Sequence, residues 1–344
     1  MTNPYGPVNE TAAQVYADKT ALQGALLCNI IYGIHFILFV ICAYILVRQM
    51  SRSNYTRQLG FLVYIATVFI LGTLLTVSSS AFTQLAFVDN RNFPGGPSVF
   101  EQLMSWIPID QLGNVALVLS SFFNDALLVW RCTVVYRGST SIFRYATTIF
   151  PFIILLAAIV MGILFLAQNS NSSPVFLNDV IIAYFTLTLA LNIIVTILIV
   201  LRLLSIRRRL RRLLGAGHAT RYVDIAAMIV ESASLFSIFS LLFLIPFALN
   251  NPLSEAFLPS LPQVQTVSSL LIILRAATGR AWSATTDTEI VACTDAANPV
   301  HLNQLSTPLA QSQMGASHLQ LSKDTSSMAT KVFVSHECTA TADV

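Results

Sequence analysis

IFSLLFLIPFAL, residues 238–249, decides the fold. It closes an apolar run, 223–249, long enough to cross about 30 Å of hydrocarbon as a helix, which takes about 20 residues. Six more runs of that kind flank it, at 22–47, 59–84, 109–133, 146–168, 180–204 and 260–280. The sixth run reads as the most apolar. The seventh reads as the weakest, because Pro259, Pro262 and Gln263 interrupt its start and Arg275 and Arg280 lie near its finish. Six spans with a surface-lying seventh segment is the alternative count. Composition agrees with a membrane bundle: 55% of the 344 residues are hydrophobic, 10% are charged, and the mean hydropathy is +0.70. Water-facing domains carry about 25% charged residues. A water-soluble globular protein and a nucleic-acid binder are therefore excluded. The expected fold is an all-α, seven-transmembrane-helix bundle over 22–282, with the lipid bilayer as its first partner.

Charge sets the expected threading. Cytosolic segments of membrane proteins accumulate Lys and Arg. With the N-terminus outside, the outer segments hold only Lys19 and Arg91 among 19 basic residues. The rest fall in 48–58, 131–144, 202–221 and from Arg275 onward. Residues 1–21 then form an extracellular segment, and the C-terminus is cytosolic. No charged start followed by a short apolar core precedes the first run, so it is expected to start translocation itself. Two glycosylation sequons, Asn9 and Asn171, fall outside under this threading. Residues 283–344, rich in Ser, Thr, Ala and Gln, read as a disordered cytosolic tail. Plasma membrane is the expected location.

Several chemistries lack their residues. No Lys occurs between Lys19 and Lys323, so no span offers an amine for a retinal Schiff base. His35 is the sole His in a span, which rules out paired haem ligands and a several-His zinc site. Its simplest reading is a helix-contact residue. None of the five Cys lies in an outer loop. No P-loop, dinucleotide fingerprint or nucleophile elbow is present, and no nucleophile–base pair converges. Neither an enzyme nor a cofactor is expected.

Polar residues inside a span are costly and mark function by default. The third run carries Asp110, Asn114, Ser121, Asn124 and Asp125 within about 60° of one line at 100° per residue. The fifth carries Tyr184, Thr188, Asn192 and Thr196 at four-residue spacing. Asp110, Asn114, Ser121, Tyr184, Thr188 and Asn192 are the candidate polar cavity; interhelical hydrogen bonding is the competing reading. Asp125, Glu231 and Arg275 each lie about 7–10 Å inside the inner boundary at 1.5 Å per residue. They form a candidate ion cluster closing the cytosolic mouth. Pro246 is expected to kink the sixth helix. The run SIRRRLRRLLGAG, 205–217, is basic and helical in pattern. Arg207, Arg208, Arg209, Arg211 and Arg212 either hold the topology against anionic lipid or dock a cytosolic partner.

Two stretches carry a family resemblance: ALLVWRCTVVY at 126–136 and LLIILRAATGRAW at 270–282. They resemble a family of seven-span, receptor-like membrane proteins of mushroom-forming basidiomycete fungi. The resemblance covers roughly 22–285 and implies the fold and a fungal source. By analogy with G-protein-coupled receptors, Trp130-Arg131-Cys132 sits where those place an acid-Arg-aromatic triplet. Arg131 matches the Arg and joins the candidate switch, Trp130 replaces the acid, and the Asn-Pro-x-x-Tyr signature is missing. The functional expectation is a receptor for an external or membrane-derived ligand, coupled to a heterotrimeric G protein or another cytosolic partner. The alternative is a small-solute, proton-coupled or lipid transporter.

Overall fold

The computed structural model describes residues 10–50, 55–137, 141–170, 176–214 and 220–277. Asn9, Asn171 and the expected tail lie outside the described residues. The described chain forms α1 (Ala12–Arg48), α2 (Tyr55–Gln84), α3 (Pro97–Leu103), α4 (Pro108–Tyr136), α5 (Ser141–Asn169), α6 (Leu177–Leu214), α7 (Thr220–Ala248) and α8 (Leu261–Ala277). Seven of these, all but the short α3, are long and apolar enough to cross a membrane. The fold is an all-α bundle of a multi-pass membrane protein. Among the described residues there is no strand.

Local chemistry sets the ends. Thr11 and Gln14 form a capping box: the Gln14 backbone N–H donates to Thr11 Oγ1 at 3.3 Å, and the Thr11 N–H donates to Gln14 Oε1 at 2.8 Å. This cap starts α1 at Ala12, ten residues before the apolar run at 22. Residues 12–21 are therefore helix, continuous with the first span. Pro97 and Pro108 open α3 and α4, where a missing N–H costs nothing. The fifth span continues unbroken through the arginines to Leu214, about 15 Å beyond residue 204. Pro246 lies inside α7 but two residues before its end, so it falls in the last turn and not at mid-helix. Pro151 is the proline that lies deep within a helix.

The helices close a ring, α1–α2–α4–α5–α6–α7–α8 and back to α1, and α4 also touches α6 and α8. Position in the ring explains apolarity. Large exposed apolar side chains stud every other spanning helix, for example Ile37, Val63, Leu119, Ile163, Ile197 and Ile238. None is on α8. Two thirds of the most apolar window of the last span is buried, against about a quarter for α1, α2, α5 and α7. A helix that meets protein need not be apolar all round; one that meets lipid must be. The weak seventh run is thus an interior span, and the surface-lying alternative does not hold. The most apolar window belongs to α5, not to the sixth span.

One end of the bundle gathers the basic residues. There Gln49 at the end of α1 donates to the Ala277 carbonyl at 2.7 Å, and Tyr136 at the end of α4 donates to the Leu198 carbonyl at 2.9 Å. The opposite end carries α3 and the turns Pro252–Ala256 and Leu258–Ser260.

Candidate functional site

The α3 end holds a cavity of about 890 Å³. Asp18 on α1 supports its rim. The Asp18 carboxylate accepts from the Ser98 backbone N–H at 2.9 Å and so caps α3 from a neighbouring helix. Arg91 adds an ion pair to Asp18 at 3.8 Å. The cap holds α3 over the bundle and presents Glu101 to the cavity. Across from it, the turn Pro252–Ala256 presents Glu255. That turn lies against α1 at Gly24, where a Cβ would collide with the Glu255 carbonyl oxygen. Deeper in, Asp110 and Asn114 on α4 line the wall, joined by Asn169 from α5. Asn114 Nδ2 donates to Asp110 Oδ2 at 2.7 Å, and Asn169 Nδ2 reaches the same oxygen at 3.5 Å.

Glu101 is the most perturbed of the groups at this mouth. Burial, with the charges of Glu255, Asp110 and Asp18, pushes its carboxyl from 4.5 up to about 8. The folded chain therefore favours the protonated form. Stability from that proton is full below about pH 4.5 and is lost as pH rises through about 8. Glu101→Gln should flatten this slope. The melting temperature of the wild type is expected to fall more than that of the variant between acid and mildly alkaline buffer. The expected difference is about 1–3 kcal/mol after allowance for solvent screening. Parallel melting curves would contradict it.

The expected polar cavity divides in two. Asp110 and Asn114 line the cavity, but Ser121, Tyr184, Thr188 and Asn192 are not among its lining residues. All four are buried in the core. Thr188 bonds its own helix at the Tyr184 carbonyl, and Asn192 Nδ2 crosses to the Ala233 carbonyl at 3.2 Å and Ser237 Oγ at 3.3 Å. For Asn192 the interhelical hydrogen-bonding reading holds, whereas the Thr188 bond stays within α6. At the basic end, Arg275 Nη2 meets Glu231 Oε2 at 3.1 Å. Glu231 is largely exposed, so the pair is worth at most about 1 kcal/mol. The third expected member, Asp125, is buried in α4 and accepts from Gln265 Nε2 at 2.8 Å. Arg131 is also buried, with Nη1 unpartnered. Arg207 and Arg208 lie on α6; the side chains of Arg209, Arg211 and Arg212 lie outside the described residues.

Sequence reading missed the polar face of α8. Gln263 Nε2 donates to the Gly72 carbonyl at 2.8 Å and Thr76 Oγ1 at 2.9 Å, while its Oε1 meets His35 Nδ1 at 2.8 Å. Thr266 Oγ1 accepts from Asn124 Nδ2 at 3.0 Å, and Tyr64 donates to Asn124 Oδ1 at 2.9 Å. His35 is thus the helix-contact residue expected. The signal for the rest was the run QVQTVSS, 263–269, whose polarity marks a helix enclosed by others.

Fold and site together define a seven-helix membrane protein with an acid-lined cavity at one end and a basic face at the other. Comparison with known proteins adds no relative: no family model, no curated protein and no solved structure matches the chain.

Proposed function

We propose that this chain is a receptor-like membrane protein that takes a ligand in the α3-end cavity and signals through its basic end. The carrying observation is the cavity itself, about 890 Å³ and within the roughly 300–1,000 Å³ of small-molecule sites. Six of the seven spanning helices contribute to its wall, so a ligand there touches elements that run to the other end. By the charge rule the α3 end faces outward, at the plasma membrane, and the basic end faces the cytosol. The proposal includes membership of the receptor-like fungal family that residues 126–136 and 270–282 resemble. Arg207, Arg208, Arg209, Arg211 and Arg212 are the proposed contacts for a heterotrimeric G protein or another cytosolic partner, with the buried Arg131 as part of the switch.

The test is copurification of a G protein from mild detergent, with and without a non-hydrolysable GTP analogue. A complex that the nucleotide dissociates supports coupling. A complex untouched by nucleotide contradicts it. Proton-coupled transport is the second reading, favoured by the Asp125 carboxyl buried within the bundle at Gln265. Solute uptake by proteoliposomes that follows a pH gradient, and is lost in Asp125→Asn, would favour it instead.

A further inference from the structure

We propose that the α3-end cavity selects an organic cation with an apolar body, its ammonium seated among Glu101, Asp110 and Glu255. This rests on reading the cavity as a ligand site. Among the described residues four carboxyl side chains line it, those of Glu101, Asp110, Asp179 and Glu255, and no Lys, Arg or His does. The neighbouring base, Arg91, is directed to Asp18, which is not a lining residue. Glu101 and Glu255 have no hydrogen-bond donor among the described residues, and both donors to Asp110 use Oδ2, leaving Oδ1 without one. Burial first, and then the repulsion of Glu255, Asp110 and Asp18, hold the Glu101 proton on to about 8. A cation entering there removes that repulsion.

The rest of the wall specifies the body of the ligand. Phe82, Phe165, Phe185 and Phe247 line the same space. Aromatic faces attract an ammonium and also bury its apolar substituents. A bare metal ion does not fit: among the described residues no three carboxylate, His or Cys groups come close enough to hold one. The cavity is also far larger than a hydrated ion needs. Charge, aromatic lining and volume agree on an amine carried by an apolar skeleton.

The test uses the full chain in detergent and dansylcadaverine, a primary amine on an apolar fluorophore, beside its N-acetylated, uncharged form. The amine is expected to bind saturably with a rise in fluorescence. Acetylation, or Glu255→Gln, should weaken binding by roughly tenfold or more, the size of a lost charge-assisted contact. Leu117→Trp, which fills the cavity floor, should abolish it. If the acetylated form binds as tightly and Leu117→Trp abolishes both, the cavity takes ligands but does not read charge. The cation proposal then fails while the ligand site stands. If neither form binds saturably, both fall. The comparison of the two probes on wild-type protein needs no variant to fold.

Discussion

Gln263→Leu is expected to lower the melting temperature of the purified chain by about 5–10 °C. Gln263 is 1% exposed and joins three helices through three hydrogen bonds. Leu matches its volume but neither donates nor accepts. His35 Nδ1 and Thr76 Oγ1 would then lose a buried partner, and each such loss costs about 1–3 kcal/mol. Packing around the site leaves no room for repair. A Cβ on Gly72 would stand 2.7 Å from His35 Cε1, so the imidazole is already held against the α2 backbone. Water therefore has no space to replace the amide. Thermal unfolding followed by tryptophan fluorescence checks the prediction. A shift below about 1 °C would mean that this interior network adds nothing to helix association, the low end of what such bonds contribute in membranes.

Gly24→Ala is expected to cost about 1–3 kcal/mol and to remove the binding of a cationic probe in the cavity. The new methyl group meets the Glu255 backbone carbonyl, which no rotamer change can move aside. The turn Pro252–Ala256 must lift from α1, and Glu255 goes with it. Gly33→Ala is the matched control on the same helix. Nothing lies within 4 Å of its Cβ, so it should be neutral or gain up to about 1 kcal/mol from helix propensity. Equal behaviour of the two variants in probe titrations would show that the turn does not shape the site.

Length and apolarity made the seven spans legible, because crossing hydrocarbon imposes both on any helix that meets lipid. The gathering of the arginines toward one end was legible because they fall between alternate pairs of spans. Helix starts were less so. The start of α1 at Ala12 rests on Thr11 and Gln14, a four-residue signature inside a polar stretch that hydropathy discounts. The short α3 escaped because its N-terminus is capped by Asp18, a residue some 80 positions away in the chain. The inward stripe on α4 was read correctly as a face: Ser121, Asn124 and Asp125 are all buried. Which part of that face meets a cavity and which meets another helix depends on the neighbours that each residue finds. Asp110 finds Asn169 and open space, whereas Asp125 finds Gln265. No spacing within one helix encodes that difference. The cavity itself draws on six spanning helices, α3 and the turns after α7, so no single segment announces it.

On the proposed threading the acid-lined cavity faces outward and the basic end faces the cytosol. The most direct measurement is cysteine labelling of intact cells with a membrane-impermeant maleimide. Gln102→Cys reports the cavity rim, and Ser205→Cys reports the basic end of α6; both positions are exposed. Cys28, Cys42 and Cys132 are buried and should stay silent, and Cys293 and Cys338 are replaced by Ser in both variants. Gln102→Cys is expected to be labelled before permeabilisation and Ser205→Cys only after it. Labelling of Ser205→Cys on intact cells, with Gln102→Cys protected, would put the arginines outside and contradict the account.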